Sequence, residues 1–114
     1  MKHKDTVLLI TNNGMGKAAD PLPQELISKY FELIFQNDLL PNAICFYTDG
    51  VRLVCEGSPV LEQLQKLERR GVRLIVCSTC LNFFHLEDKV KVGIIGGMTD
   101  IIEAQMQADK VITL

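Results

Sequence analysis

Five short apolar runs, separated by longer amphipathic stretches, organise the chain. The runs are rich in Val, Ile and Leu and lie at residues 6–11, 43–48, 72–76, 89–95 and 111–114. Short apolar runs bounded by turn residues are typical of strands buried on both faces of a sheet. The stretches between them carry apolar residues at helical spacing. The resulting βαβαβαβαβ order predicts an α/β fold with a five-stranded, mainly parallel sheet, right-handed crossovers and helices on both faces.

The run at residues 72–76 is the most regular of the five and is expected in the interior of the sheet. Gly71 precedes it and can close the helix before it, because glycine readily adopts a left-handed conformation. The segment Val51–Glu56 is ambiguous and fits either a short strand or an irregular arm. A final helix is predicted to be capped by Thr99 and Asp100 and to continue through Gln107, with Ile101, Ile102 and Met106 facing inward.

Phe83 and Phe84 are adjacent on a predicted short helix. Neighbouring residues on a helix do not share a face, so both rings cannot easily point into the core. We therefore expect one of them to meet another subunit, and the protein to form a homo-oligomer.

Composition and charge exclude several classes of protein. A chain of 114 residues with 47% apolar residues suits one domain spanning residues 1–114. Its net charge of −2 and lack of a basic run give no reason to expect nucleic acid as a partner. No apolar stretch approaches the length of a membrane span, and the first one is too short for a signal peptide. We therefore expect a cytoplasmic protein whose four cysteines are reduced.

Two of those cysteines form a C-x-x-C motif directly after the 72–76 strand. Ser78 and Thr79 are expected to cap a helix that holds Cys80 in its first turn, while Cys77 ends the strand. A helix N-terminus favours an anion, so the pKa of Cys80 is expected to lie below that of a free thiol. Cys45 and Cys55 lie in apolar segments and are expected to be buried structural residues.

Polar residues follow several of the predicted strands. Parallel strands end at one edge of the sheet, and in such folds ligands bind beyond that edge, at a switch point in the strand order. The glycines form no dinucleotide or P-loop motif, so no cofactor is indicated. His85 follows the cysteine pair, but no fourth zinc ligand is evident, so no metal is expected. The predicted ligand-binding residues at this edge are Asn12, Asn13, Asp49, Ser78, Thr79 and Thr99.

The C-x-x-C motif alone leaves several functions open. A dithiol redox pair fits its position at the junction of a strand and a helix, although the following order of elements does not match thioredoxin. A pair of buried structural cysteines is equally compatible with the spacing. A third alternative is a non-catalytic module that binds a small ligand or a partner protein at the same edge.

A family resemblance narrows these alternatives. The chain resembles the DsrE/DsrF-like family of sulfur-relay proteins, and within it the C-terminal DsrE-like domain of YedF-type proteins, which are named for a role in selenium metabolism. The segments that carry the resemblance are Val7–Ile10, Phe46–Val51, Glu56–Ser58, Cys77–Leu81 and Ala108–Ile112.

The resemblance implies a three-layer α/β/α sandwich, oligomerisation and a cysteine that carries sulfur as a persulfide. In sulfur-carrying members the acceptor cysteine follows the third strand and aligns best with Cys77, whereas the C-x-T-C-L motif of the YedF-like branch also offers Cys80. YedF-type proteins also carry an N-terminal TusA-like domain with its own sulfur-handling cysteine. The resemblance therefore implies one of three settings: the chain works alone, it works with a separate TusA-like sulfur-carrier partner, or it is a fragment of a two-domain protein. We therefore expect a sulfur or selenium carrier, with sulfurtransferase activity, that uses Cys80 or Cys77.

Overall fold

The computed structural model describes the backbone of residues 3–114 and the side chains from residue 5 onward. Five strands and four α-helices alternate along this part of the chain, with one 3₁₀ helix after the second strand. The strands are β1 (His3–Ile10), β2 (Pro41–Phe46), β3 (Arg73–Cys77), β4 (Ile94–Gly96) and β5 (Lys110–Thr113). The helical segments are α1 (Leu22–Gln36), the 3₁₀ helix (Thr48–Val54), α2 (Leu61–Arg69), α3 (Ser78–Phe84) and α4 (Met98–Gln107).

The strands form one sheet in the order β4-β3-β2-β1-β5, and every pair is parallel. The predicted parallel sheet is thus confirmed, and β3 lies in its interior between β2 and β4. From β1 to β4, each strand lies beside the previous one on the same side, so right-handed crossovers place α1, α2 and α3 on one face of the sheet. The chain then returns across the sheet to β5, which places α4 on the opposite face.

The core lies on both sides of the three middle strands. Their apolar runs are almost fully buried, as are the inward residues of α1 and α2. Gly71 ends α2 in the left-handed region, with φ of 93°, as the sequence predicts. The N–H of Val72 donates to the carbonyl of Leu67 at 3.1 Å, which satisfies one of the last helical carbonyls. The α2–β3 junction is therefore tightly defined.

The segment after β2 differs from both structures that the sequence allowed. Residues 48–54 form a 3₁₀ helix, and Cys55 makes only a single antiparallel bridge with Val90. The reason is burial: Val51, Leu53 and Val54 are all inaccessible to solvent. That spacing does not alternate as a half-buried strand requires, and a tight helical turn can bury all three side chains.

The starts of α3 and α4 also differ from prediction. Ser78 and Thr79 lie within the first turn of α3, and Cys77 occupies the N-cap position. Gly97 is the N-cap of α4, and its N–H donates to Asp100 Oδ2 at 2.8 Å. Asp100 therefore takes part in the cap as expected, whereas Thr99 does not.

The inward face of α4 is narrower than predicted. Ile101 is buried, but Ile102 is 46% exposed and Met106 is 80% exposed. The helix covers the sheet with Ile101 and Ala104, which lie three residues apart on one face. The expectation that Ile102 and Met106 face inward is wrong.

The two adjacent phenylalanines of α3 do face different ways. Phe83 is 77% exposed, whereas Phe84 is half-buried against the core. Their rings meet edge to face with centroids 5.3 Å apart.

Across the described residues, the helices are too short or too polar to cross a bilayer.

Candidate functional site

The ends of β1 and β2 meet at the carboxyl edge of the sheet. The N–H of Tyr47, just past β2, donates to the carbonyl of Ile10 at the end of β1, at 3.1 Å. The hydroxyl of Thr48 donates to the carbonyl of Thr11. Gly50 packs so closely that a Cβ there would lie 2.1 Å from the Ile10 carbonyl oxygen. These contacts fix residues 48–50, the first turn of the 3₁₀ helix and hereafter the 48–50 turn, against the end of β1.

The same turn presents a backbone donor to a cysteine. The N–H of Thr48 donates to Sγ of Cys80, with 3.0 Å between nitrogen and sulfur. Thr48 has φ of 49°, a left-handed conformation that is costly for a β-branched residue. Strained residues held in place by their surroundings are found disproportionately at functional sites. The strained turn therefore aims an N–H group at the Cys80 sulfur.

Cys77 and Cys80 occupy different environments within the C-x-x-C motif. Cys77 ends β3, where it lies opposite Gly96 of β4, and is only 1% exposed. Cys80 lies one turn further on, at the third position of α3, and is partly exposed. Access to a large reactant is therefore open to Cys80 and closed to Cys77.

The environment of Cys80 has opposing effects on its pKa. Burial raises the pKa of the Cys80 thiol above its ordinary value, and the neighbouring Cys77 side chain adds to the rise. The hydrogen bond from the Thr48 N–H acts in the other direction, because it stabilises the thiolate. The net direction is upward, so the expected lowering of the Cys80 pKa is wrong. The physical reason is that desolvation outweighs the single backbone donor at this short helix.

Cys45 lies within β2, Cys55 follows the 3₁₀ helix, and both are buried, as the sequence predicts. Burial raises the pKa of Cys45 to about 11, against an opposing effect of the positive charge of Arg73. Burial also raises the pKa of Cys55, whose thiol donates to the carbonyl of Val51 at 3.2 Å. Both behave as buried apolar side chains.

The other predicted site residues make no described hydrogen bond to the Cys80 sulfur; the bond described there comes from Thr48. The backbone carbonyl of Asn12 accepts the N–H of Gly14 at 2.7 Å, and that of Asn13 accepts the side-chain amide of Gln24. Asp49 is exposed and pairs with Arg52 at 3.1 Å. The described contacts of these residues stabilise turns.

Ser78, Thr79 and Thr99 also have no described contact with the cysteine sulfurs. Thr79 is exposed in the first turn of α3, and Thr99 is exposed in the first turn of α4. The strand order reverses between β1 and β5, whereas the cysteine pair follows β3. The pair thus lies at the predicted edge of the sheet but not at the switch point.

The most direct partner of Cys80 was not among the predicted site residues. Thr48 acts through its backbone N–H, which every residue except proline has, so its residue type carries no signal. The Thr48-Asp49-Gly50 turn sequence indicates only that a turn is present. No cluster of three or more His, Cys, Asp or Glu side chains that could hold a metal occurs among the residues described.

Comparison with known protein families decides the relationship of this chain to others. The family model described as "DsrE/DsrF-like family" matches residues 8–114. The chain belongs to the DsrE/DsrF-like family. The resemblance in the sequence is thus confirmed at the level of the family. None of the curated proteins compared matches the chain.

Solved structures with the same fold come from both archaea and bacteria. A protein of unknown function, MTH1491 from Methanobacterium thermoautotrophicum, aligns with a TM-score of 0.71 at 19% identity, covering 97% of this chain and 99% of that one. The ychN protein of E. coli aligns with a TM-score of 0.62 at 19% identity, covering 96% and 99%. BT1422 from Bacteroides thetaiotaomicron, also of unknown function, gives 0.68 at 13% identity, covering 96% and 95%. At these identities the similarity establishes the fold alone.

Proposed function

We propose that this DsrE-like protein is a sulfur or selenium carrier that holds a persulfide on Cys80. The observation that carries the proposal is the hydrogen bond from the Thr48 N–H to the Cys80 sulfur, at the one partly exposed thiol among the four cysteines. The C-x-T-C-L motif, which resembles that of the YedF-like branch, supports the same cysteine.

The chemistry requires the Cys80 sulfur to act first as a nucleophile and later as a leaving group. In loading, the Cys80 thiolate attacks the outer sulfur of a donor persulfide and releases the donor as a thiolate. In unloading, an acceptor thiolate attacks the outer sulfur on Cys80, and the Cys80 thiolate leaves. Each transfer moves one sulfur atom and needs no oxidant.

The Thr48 N–H assists both transfers by the same physical effect. A hydrogen bond to an ionised sulfur is stronger than one to a neutral thiol. The donor is fixed by the strained turn, so it need not reorganise when charge develops on sulfur. The N–H therefore offsets part of the burial that raises the pKa of Cys80.

The same proposal includes the setting in which the carrier works. A reactive thiol requires a reducing compartment, which is consistent with a cytoplasmic protein. We include a TusA-like sulfur carrier as the exchange partner, by analogy with the two-domain YedF-type proteins. The exposed Phe83 ring supports a homo-oligomer. This large apolar side chain is 77% exposed, and its burial against a second subunit would stabilise the interface.

One observation favours a second candidate function. The environment of Cys80 raises its pKa, chiefly through burial, and so disfavours the thiolate. A protonated thiol is a poor nucleophile, as expected for a DsrE-like module that binds a small ligand or partner protein without covalent chemistry.

The experiment that separates the two candidates is intact-mass measurement after brief incubation with inorganic polysulfide. We expect wild type to gain one sulfur atom, which a reductant removes, and Cys80→Ser to gain none. Cys55→Ser is the matched control and should load like wild type. No gain by either wild type or Cys77→Ser, or an equal gain by Cys80→Ser, refutes the proposal. Loss of two hydrogens in a chain that never gains sulfur indicates a dithiol redox protein.

A further inference from the structure

The two cysteines of the motif occupy a paired position at the start of α3. Cys77 is the N-cap residue and Cys80 is the third residue of the helix. In capping interactions the side chain of the N-cap residue reaches toward this third residue. The Cys77 thiol makes no hydrogen bond of that kind to the backbone. Its sulfur is therefore free of a competing cap contact and lies next to Cys80.

The spacing of the motif brings the two side chains together. The N-cap residue and the third residue of α3 lie one helical turn apart on the same side of the helix. The Cys77 side chain also adds to the rise in the pKa of Cys80, which agrees with this short separation. Residues three apart on a helical turn have Cβ atoms about 5–6 Å apart, against about 3.5–4.5 Å in a disulfide. Cys77 is the N-cap residue and has an extended backbone, so formation of the disulfide requires a local movement at the start of α3.

We propose that Cys77 is a resolving thiol, which attacks the persulfide on Cys80, releases hydrogen sulfide and leaves a Cys77–Cys80 disulfide. The inference rests on the proposed function, because it concerns the fate of sulfur already loaded on Cys80. It adds a second way of unloading beside transfer to an acceptor protein.

The step balances without an external oxidant. The Cys77 thiolate attacks the inner sulfur, Sγ of Cys80, and forms the new sulfur–sulfur bond. The bond between Sγ and the outer sulfur breaks, and the outer sulfur leaves as hydrosulfide, which takes up the proton lost by Cys77. The outer sulfur is reduced to sulfide, and the two cysteine sulfurs are oxidised to the disulfide. A dithiol reductant is then needed to regenerate both thiols.

Burial explains why the two cysteines take different parts. At 1% exposure, Cys77 cannot reach a sulfur donor or an acceptor protein. The persulfide on Cys80 is the one electrophile that comes to it, because both belong to the same helical turn. Cys45 and Cys55 lie on β2 and beyond the 3₁₀ helix, and Cys55 is hydrogen-bonded to Val51. The structure therefore favours resolution by Cys77 alone.

The test loads the protein with inorganic polysulfide, removes the excess by desalting, and follows intact mass and released sulfide without reductant. Wild type should lose its added sulfur with release of one sulfide and end two hydrogens lighter than the reduced chain. Peptide mapping should place the disulfide between Cys77 and Cys80. Cys77→Ser should keep its added sulfur and release sulfide at least tenfold more slowly, whereas Cys55→Ser should match wild type.

The outcomes distinguish this inference from the function on which it rests. If wild type gains sulfur and keeps it, or if Cys77→Ser releases sulfide at the wild-type rate, the resolving role is refuted and the carrier proposal stands. If neither wild type nor Cys77→Ser ever gains sulfur, the carrier proposal fails and the resolving role fails with it. Mapping of the Cys77–Cys80 disulfide uses wild type alone, so the inference remains testable even if Cys77→Ser does not fold.

Discussion

Replacement of Gly50 by alanine perturbs the turn on which the Cys80 site depends. Gly50 is buried, and an added Cβ would lie 2.1 Å from the carbonyl oxygen and 2.7 Å from the carbonyl carbon of Ile10. These are backbone atoms of β1, an interior strand of the sheet, and they cannot rotate away. Comfortable carbon–oxygen contacts begin at about 3.3 Å, so the turn must move by about 1 Å.

The cost has two parts. Overpacking of this kind costs about 1–3 kcal/mol. The movement also weakens the hydrogen bond from the Tyr47 N–H to the Ile10 carbonyl, now 3.1 Å long, at about 1 kcal/mol. We expect Gly50→Ala to lower the free energy of unfolding by about 2–4 kcal/mol. At about 4 °C per kcal/mol, the Tm should fall by about 8–16 °C.

Gly97→Ala is the matched control, measured by urea unfolding and by thermal melting beside Gly50→Ala. Gly97 lies at the same edge of the sheet, has φ of −103°, and has no atom within 4 Å of an added Cβ. Alanine is a poor N-cap residue, so the control should cost about 1 kcal/mol or less. Equal stability of the two variants would refute the close packing of the 48–50 turn against β1.

Three further predictions concern the thiols and the surface. Iodoacetamide should label Cys80 well before the other cysteines, with a rate that keeps rising above pH 8.5 because its pKa is raised; equally fast labelling of Cys45 in the folded protein would contradict this. The pKa of Cys45 is raised to about 11 in the folded protein. The contribution of the neutral Cys45 thiol to the free energy of unfolding is therefore fully present below about pH 8.5 and is lost as pH approaches 11. Wild type should therefore lose about 2 kcal/mol more than Cys45→Ala between pH 7 and pH 10 in urea unfolding, and parallel losses would exclude the effect. Phe83→Ser should lower the molar mass seen by light scattering at micromolar concentration, and a monomeric wild type would refute self-association.

The sheet could be predicted from sequence because its signal is the hydrophobic effect itself. Apart from Arg73, the run Val72–Val76 is apolar, and such runs fit few places other than the interior of a parallel sheet. The observed strand, Arg73–Cys77, is displaced by one residue. The 3₁₀ helix was missed because it depends on tertiary packing: the segment packs against β2, β3, α2 and α3, and these contacts are not visible in the sequence pattern.

The candidate site could be predicted only in part. The spacing of Cys77 and Cys80 after a buried strand identified the edge of the sheet and the residue types. The Thr48 N–H was missed because backbone donors leave no mark in sequence, and its left-handed conformation is uncommon for threonine. The predicted direction of the Cys80 pKa shift was wrong because the sequence reveals the helix N-terminus but not the degree of burial, and burial has the larger effect here.

The most direct test of the central claim is to locate the added sulfur in the wild-type protein. After brief loading with polysulfide, persulfides are trapped by alkylation and mapped by peptide mass spectrometry. We expect the extra sulfur on Cys80, in proportion to the gain in intact mass, and none on Cys45 or Cys55. Sulfur found on one of those two buried cysteines, on Cys77 alone, or on no cysteine would contradict the assignment of Cys80 as the carrier.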